Sequence, residues 1–257
     1  MATSFPHDTR WNSTAILIVA LCLFVLCAIP TPNVLADDEK PVSADTVGPP
    51  PAVLPDESDK HDSAAPHSGG DSKVKIFDTV EFKRPLSSLP GWLSVLSRNK
   101  ANPIFTSGRH FNKSVIWDQF REQAKKFQGL ELLRFVTKFW NSWPYKEDIV
   151  NWGVEDYWAI PAEFLERSGD CEDYAIVKYF TLKELGVPPE DMRIVVVRDT
   201  IRNLGHAILV VYMQNDAYVL DNLSNVVLSN TRFRHYSPQY SVNEFGRWAH
   251  LKGRQAK

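Results

Sequence analysis

The stretch DCEDYAIVKYFTLKELGVPPEDMRIVVVRDT, residues 170–200, changes from a helical pattern to a strand pattern near its middle. Asp170 can cap a helix through CEDYAIVKYFTLKEL, with Gly186 just past its end and Pro188 beyond. The segment MRIVVVRDT that follows is dense in β-branched residues and predicts a strand. The chain is therefore expected to pass here from a helical part to a sheet.

The segments on either side of this stretch also predict helices upstream and strands downstream. Upstream, VIWDQFREQAKKFQ predicts a helix capped by Ser114 and ended by Gly129, LELLRFVTKFWNSW predicts a second, and Pro161 can open a short third. Downstream, HAILVVYM and AYVLDN predict strands joined by the polar connection 214–216, so that they form an antiparallel hairpin. Helices first and consecutive strands later predict an α+β domain rather than a doubly wound one.

The N-terminus has the pattern of a targeting segment. Residues 15–29, AILIVALCLFVLCAI, form an apolar run that follows Arg10 and precedes Val34-Leu35-Ala36. A weakly basic start, an apolar core and a small-residue end are typical of a secretory signal peptide, which we expect over residues 1–36. The alternative is an uncleaved membrane anchor, although the run is shorter than the ~20 residues that span a bilayer.

The next segment, residues 37–73, is acidic, rich in Pro, Ser and Gly, and poor in aromatic residues. Such a composition cannot bury enough apolar surface to offset the entropy of ordering, so we expect a disordered linker. The folded domain is then expected over residues 74–257. The net charge of −2, with no long basic run, argues against nucleic acid as a partner.

Loss of the signal peptide would remove Cys22 and Cys27 and leave Cys171 as the one thiol. A lone cysteine in an exported protein indicates either intermolecular pairing or a free reactive thiol, and it excludes a multi-cysteine zinc site. Cys171 falls in the predicted first turn of a helix, where free N–H groups and the helix dipole lower a thiol pKa. Its own N–H would point toward the oxyanion of a bound acyl group.

A base and a group to orient it follow in the predicted hairpin. His206 begins one strand directly after Gly205, and Asp221 ends the next strand. With the turn centred near Asn215 and Asp216, both side chains lie near the same end of the hairpin, within reach of each other. A buried cysteine, a histidine at a strand start and an aspartate at a turn each have an ordinary structural interpretation. Their combination predicts a nucleophile–base–orienter triad.

Three carboxylates, Asp170, Glu172 and Asp173, surround the predicted nucleophile. Acidic residues are also favoured at helix N-termini for capping and dipole reasons, so a purely structural role is a strong alternative. Three negative charges would nevertheless oppose formation of a thiolate unless a cation neutralised them. Calcium binds carboxylate oxygens in flexible geometry, and we expect a Ca²⁺ site here, with Asp173 as its weakest ligand.

These motifs resemble those of bacterial transglutaminase-like cysteine peptidases, and most closely the LapG type, which are periplasmic proteases. The resemblance covers nearly all of residues 75–257. It is carried by GDCEDYA, the later HA and LDN motifs, IFDTVEF near the start, WNSWPY at 140–145 and DYWAIPAEFL at 156–165. It implies a papain-like or transglutaminase-like α+β fold, with N-terminal helices packed on an antiparallel sheet.

The resemblance also implies a specific function. Members of this type are calcium-dependent endopeptidases that cleave the N-terminal region of a large repeat-rich biofilm adhesin, typically at an Ala-Ala-Gly site. An inner-membrane cyclic-di-GMP receptor holds them inactive. Carried over to this sequence, Cys171 attacks the scissile carbonyl, His206 acts as general base and then acid, and Asp221 orients it. Asp170 and Glu172 match the calcium ligands.

Two alternatives remain open from the sequence. The Cys-His-Asp order also fits a protein-glutamine acyltransferase, or transglutaminase, which uses the same thioester chemistry but passes the acyl group to an amine instead of water. A catalytically silent binding module is a third possibility. The intact triad argues against it, since a silent module would tolerate the loss of any member.

Overall fold

The computed structural model describes residues 74–252, which belong to one compact unit. The predicted signal peptide and linker, over residues 1–36 and 37–73, lie outside the described residues. Within the described range, no helix combines the length and apolar character needed to cross a membrane.

Six α-helices are described, and all of them follow the first strand in the chain and precede the other six. Their bounds are α1 Pro90–Ala101, α2 Trp117–Ala124, α3 Gly129–Trp140, α4 Asp148–Asn151, α5 Pro161–Arg167 and α6 Cys171–Glu184. Short 3-10 helices cover Ile76–Asp78, Leu86–Ser88, Pro189–Asp191 and Asn230–Arg232.

Seven described strands form one sheet in which every pairing is antiparallel. They are β1 Thr79–Arg84, β2 Met192–Asp199, β3 Leu204–Met213, β4 Asp216–Leu220, β5 Leu228–Ser229, β6 Tyr236–Asn243 and β7 Gly246–Lys252. The strand order is β1-β7-β6-β2-β3-β4-β5, so the first strand pairs with the last. Helices packed on an antiparallel sheet confirm the predicted α+β class.

Helix α6 is the central helix of the domain. Asp170 is its N-cap, and Gly186, just past its end, has a φ of +93° that glycine adopts without strain. Every residue from 172 to 182 is buried. The helix packs against α3 and α5 and against strands β2 and β3. The predicted helix is thus confirmed, and its position explains why it carries almost no exposed surface.

The predicted start of the first helix is wrong. Helix α2 begins at Trp117 instead of following a cap at Ser114. The side-chain oxygen of Asn112 accepts hydrogen bonds from the N–H groups of Ser114 and Val115, at 2.8 and 2.9 Å, and holds this segment in a turn. Gly129, expected to end that helix, is instead the first residue of α3.

Each face of the sheet has its own apolar core. The larger core lies between the helices and the sheet and includes Leu209, Val211 and Leu220. The smaller core lies on the other face and includes Ile208 and Val210. Because side chains alternate along a strand, the sheet is buried on both faces over its central strands.

Candidate active site

The β3–β4 hairpin positions two of the predicted catalytic residues. Its turn is the pair Gln214-Asn215, with φ values of 52° and 65°, as the tight turns favoured in hairpins require. Met213 pairs with Asp216. The hairpin is therefore confirmed, although its turn is centred about one residue earlier than expected. As a result, Asp221 directly follows the last paired residue of β4 rather than lying within the ladder.

The hairpin brings His206 and Asp221 into direct contact. The Nε2 of His206 lies 2.9 Å from Oδ1 of Asp221, and the two side chains are almost completely buried. The N–H of Leu223 donates to the same oxygen at 3.0 Å. Because Asp221 holds Nε2, the ring nitrogen left to exchange a proton with a nucleophile is Nδ1. This is the pairing that the sequence predicted for the base and its orienting residue.

A third hydrogen-bond donor to Asp221 comes from a residue that the sequence did not single out. The hydroxyl of Tyr236, the first residue of β6, donates to Oδ2 of Asp221 at 2.6 Å. Burial alone would raise the pKa of Asp221. Its hydrogen bonds with His206 and Tyr236 together outweigh that effect, so the pKa lies below the ordinary value for an aspartate. Burial raises the pKa of Tyr236, so its hydroxyl stays a donor. No local motif marks Tyr236, because only the strand order brings it near.

Cys171 lies at the first position of α6, beside the start of β3. The backbone N–H of Ala207, the residue next to His206, is near enough to the thiol to oppose part of the rise in its pKa. The thiol also donates to Oε2 of Glu172 at 3.1 Å. The structure therefore brings the predicted nucleophile to the strand that carries the predicted base. It also adds a contact with a carboxylate that keeps the sulfur protonated.

The electrostatic surroundings of Cys171 differ from the prediction. Burial raises the pKa of its thiol, and the negative charges of Glu172 and Asp170 raise it further. The opposing effect of the carboxylates was expected from the sequence, but the effect of burial, which is the largest, was not. In this arrangement the thiolate needs something that neutralises the adjacent carboxylates.

The acidic group is larger than the sequence indicated. Besides the residues next to Cys171, it includes Asp148, at the start of α4, and Asp156, in the loop before α5. Carboxylate oxygens of Asp148, Asp156 and Glu172 lie within 4.8 Å of one another, as do those of Asp148, Asp170 and Asp173. Each of the two added residues follows another acidic residue in the segment before the cysteine motif, Glu147-Asp148 and Glu155-Asp156, which is the signal that could have suggested them.

These carboxylates fit a hard cation. The Oδ1 atoms of Asp148 and Asp170 are buried and have no hydrogen-bond donor among the described residues. Burial raises the pKa of Asp170 to about 9, and the charge of Glu172 adds to this effect. Burial likewise raises the pKa of Glu172 to about 7. Carboxylate oxygens held close together, two of them without donors, form the all-oxygen ligand set that Ca²⁺ takes.

Asp173 has a different environment from the other carboxylates. Its Oδ1 accepts a hydrogen bond from the N–H of Ala159 at 2.7 Å, and its Oδ2 accepts a long one from Asp170 at 3.4 Å. A Cβ atom on Gly169 would lie 2.6 Å from that of Asp173, so only glycine fits there. Asp173 therefore anchors the start of α6, consistent with its expected rank as the weakest metal ligand.

The chain is similar to known proteins in sequence and structure. A sequence model of the family described as bacterial transglutaminase-like cysteine proteinase BTLCP matches residues 117–256. Calcium-bound LapG of Legionella pneumophila is 30% identical over 51% of this chain and 86% of that chain, with a TM-score of 0.42. The EGTA-treated form of that protein is also 30% identical, over 51% of this chain and 84% of that chain, with a TM-score of 0.41. No match was found among curated protein sequences.

The family match spans more than half of the chain, from α2 through β7. It includes Cys171, His206 and Asp221, together with the loops that carry Asp148 and Asp156. The chain therefore belongs to the bacterial transglutaminase-like cysteine proteinases and is a cysteine peptidase.

Proposed function

We propose that this protein is a calcium-dependent endopeptidase of the periplasm that cleaves the N-terminal region of a large, repeat-rich surface adhesin at an Ala-Ala-Gly type of site. The observation that carries the catalytic part is the buried pair of His206 and Asp221, which are joined at 2.9 Å. The backbone N–H of Ala207, next to His206, is also near the Cys171 thiol. Membership of the cysteine proteinase family supports the reaction class. The substrate, the compartment and the regulation follow from the sequence resemblance.

In the first half of the reaction, His206 takes the thiol proton at Nδ1 while Asp221 holds Nε2. The sulfur of Cys171 attacks the scissile carbonyl carbon, and the backbone N–H groups at the start of α6 face the developing oxyanion. His206 then donates its proton to the leaving amine. The peptide bond breaks, and the acyl group remains attached to the sulfur as a thioester.

In the second half, His206 acts as a base again. It removes a proton from a water molecule, which attacks the thioester carbonyl. The carbon–sulfur bond breaks, the acid product leaves, and the proton returns to the sulfur. Asp221 stays ionised throughout and fixes the orientation of the ring, supported on its other oxygen by Tyr236.

Asp148, Asp156, Asp170 and Glu172 are the residues that would hold calcium, with Asp173 at the edge of the group. When bound, calcium supplies positive charge that offsets these carboxylates beside the thiol. Glu172 matters most, because its carboxylate accepts the hydrogen bond of the Cys171 thiol at 3.1 Å. If the Glu172 carboxylate were bound to calcium, the Cys171 thiol would lose this hydrogen-bond acceptor and could give its proton to His206.

Two further parts of the proposal concern the surroundings of the enzyme. The N-terminal pattern of residues 1–36 supports export by a signal peptide. The proposed inhibitory partner is an inner-membrane receptor that responds to cyclic-di-GMP. An inhibitor of this kind would act by covering the active site or the neighbouring acidic group.

The proposal is tested by incubating the full-length protein with a purified N-terminal fragment of a repeat-rich adhesin that contains an Ala-Ala-Gly segment. We expect cleavage in calcium, little cleavage after chelation, and recovery when calcium is added back. Mass spectrometry should place the new terminus within that segment. An intact fragment under all conditions would contradict the proposed substrate.

The same incubation, with a labelled primary amine present, separates hydrolysis from acyl transfer. A peptidase gives two fragments without label. Incorporation of the amine into glutamine side chains, with no cleavage, would show a transglutaminase and would overturn the proposal.

A further inference from the structure

A cavity of about 320 Å³ opens beside the acidic group and takes no part in the catalytic steps. Its apolar walls come from Leu89 and Pro90 at the start of α1, Trp158 in the loop before α5, and Tyr240 on β6. Asp156 also lines it. The volume lies at the lower end of the roughly 300–1,000 Å³ of ligand pockets, so the cavity suits one or two side chains of a bound peptide.

Asp156 joins this cavity to the nucleophile. One of its carboxylate oxygens lies within 4.8 Å of a carboxylate oxygen of Glu172. Oε2 of Glu172 accepts the hydrogen bond of the Cys171 thiol at 3.1 Å. Only these two acidic side chains separate the cavity from the reacting sulfur along this path. A peptide with its scissile bond at Cys171 can therefore reach the cavity within a few residues.

The sheet provides a second path between the cavity and the triad. Tyr240 on β6 pairs with Val196 on β2, and Val196 pairs with Ala207 on β3, the residue next to His206. Paired residues of antiparallel strands lie on the same face of the sheet. With strands about 4.8 Å apart, Tyr240 and Ala207 are about 10 Å apart. An extended peptide advances about 3.3 Å per residue, so it covers that distance in about three residues.

The polar groups of the cavity wall are already engaged within the protein. Arg98 donates to the Glu163 carboxylate at 2.5 and 2.7 Å and to the carbonyl oxygen of Trp158 at 2.6 Å. The hydroxyl of Tyr157 donates to the same carboxylate at 3.0 Å. Asp156, the other charged residue of the lining, belongs to the acidic group that would hold calcium. An ionised ligand group would thus lose its hydration without gaining a free partner, whereas an apolar group would cover aromatic and aliphatic surface.

The wall that carries Trp158 is held in place from two directions. The N–H of Tyr157 donates to Oδ2 of Asp148 at 2.5 Å, which ties this loop to the acidic group. The Trp158 ring packs edge-on against Trp92, which is completely buried, with the ring centroids 6.3 Å apart. The cavity therefore exists before a ligand binds, and a preorganised site loses less conformational entropy on binding.

We propose that this cavity is a specificity pocket of the peptidase: it receives a large apolar side chain, such as that of leucine, from a substrate residue about three positions from the scissile bond. The inference rests on the proposed function only in placing that bond at Cys171. The Ala-Ala-Gly segment lies at the nucleophile, and the pocket selects a residue outside that segment. The pocket residues do not touch the reacting atoms, but they supply binding energy from a remote part of the substrate.

The test is the cleavage of a pool of synthetic peptides of unbiased sequence by the full-length protein in calcium, with the new termini identified by mass spectrometry. The pool locates scissile bonds without assuming an adhesin. We expect large apolar residues to be enriched at one position, about two to four residues from the bond. Two peptides that differ only there, with leucine or alanine, should differ at least about tenfold in kcat/KM. Enrichment of charged residues at that position, or of no residue type at any position, would overturn the proposal.

Gly91→Leu is the variant that fills the pocket. Gly91 lines the cavity near the start of α1, and a Cβ atom there would meet nothing within 4 Å outside its own stretch of helix. Leucine is also a better helix former than glycine, so the fold should be retained. We expect the preference for leucine over alanine to fall from about tenfold to less than about twofold.

Ser97→Leu is the matched control, because it adds the same side chain at an exposed position of α1 that does not line the cavity. It should keep the full preference for leucine. An equal preference in Gly91→Leu, Ser97→Leu and the unmodified protein would show that the cavity does not select the substrate and would overturn the proposal.

A binding measurement covers the case in which no peptide of the pool is cleaved. In the Cys171→Ala background, calorimetry is done with peptides centred on Ala-Ala-Gly that carry a leucine at each flanking position in turn. At one of these positions leucine should lower the Kd by about tenfold, and Gly91→Leu should remove this gain. Equal Kd values for all the peptides would overturn the proposal.

These outcomes separate the pocket from the proposed function. Selection of large apolar residues in the pool, without cleavage of the adhesin fragment, would contradict only the proposed substrate. Cleavage of the adhesin fragment, without selection of large apolar residues in the pool, would contradict only the pocket.

Discussion

Tyr236 donates its hydroxyl to Oδ2 of Asp221 at 2.6 Å, while the other oxygen of that carboxylate holds His206. The carboxylate is thus fixed at both oxygens by side chains from two strands, β3 and β6. This arrangement leaves the Asp221 side chain little freedom to rotate. The His206 imidazole, which is hydrogen-bonded to it, is therefore also held in one orientation. The strand order makes it possible, because β6 lies next to β2, and β2 next to β3.

Replacing Tyr236 by phenylalanine should therefore weaken catalysis and stability together. The substitution leaves a buried carboxylate oxygen without its donor, which costs about 1–3 kcal/mol of unfolding free energy. We expect kcat to fall by about tenfold, since the imidazole remains but is less well oriented. Steady-state cleavage and urea unfolding measure the two effects. Tyr218→Phe, which removes a hydroxyl from β4, is the matched control, and an equal loss of activity there would argue against this role of Tyr236.

Cys171→Ala should abolish proteolysis with the fold intact. Removal of a nucleophile from a hydrolytic triad lowers kcat by about 10⁶-fold, so product formation should be undetectable in the cleavage assay. Circular dichroism and the thermal midpoint should remain close to those of the unmodified protein, because Cys171 is only partly buried. Residual cleavage at more than about one thousandth of the original rate would show that another group attacks the substrate.

Asp156→Asn should weaken calcium binding, because it removes one anionic ligand while keeping the size of the side chain. We expect at least a tenfold increase in the calcium Kd by calorimetry, and a smaller calcium-induced rise in Tm, since a ligand that binds the native state stabilises it by mass action. Glu155→Gln, at the adjacent position outside the acidic group, is the control. If both variants bind calcium as the unmodified protein does, Asp156 is not a ligand.

The sequence was most informative where local chemistry determines the structure. The capped helix beginning at Cys171 and the hairpin with its polar turn both follow from local patterns, and both are confirmed. Tyr236 and Asp148 were missed, because their roles arise from contacts between segments far apart in the chain. The sequence predicted that the carboxylates oppose a thiolate at Cys171, but it did not predict the larger rise in the thiol pKa that comes from burial, since burial is a property of the whole domain.

A buried histidine outside the active site should make stability depend on pH. His250, on β7, is buried between Thr79 and Ser241, whose hydroxyls lie 2.9 and 2.8 Å from its ring nitrogens. Burial lowers the pKa of His250 to about 4, and the nearby charge of Arg193 contributes to this lowering. The unfolded chain, with an ordinary histidine pKa of about 6.5, therefore takes up a proton first as the pH falls. This contribution to stability is complete above pH ~6.5 and is lost progressively toward pH ~4.

At pH ~4.5 the loss attributable to His250 should reach about 2.5 kcal/mol relative to pH ~7.5. Urea unfolding at the two pH values measures it, with His250→Gln as the variant that keeps polar atoms but does not titrate. Other groups titrate in both proteins, so the difference between the two pH dependences isolates His250. The variant should lose less stability on acidification, by roughly that amount. His110→Gln, at an exposed position, is the control and should lose as much stability on acidification as the unmodified protein. Identical pH dependences for all three proteins would show that His250 is protonated equally in the folded and unfolded states.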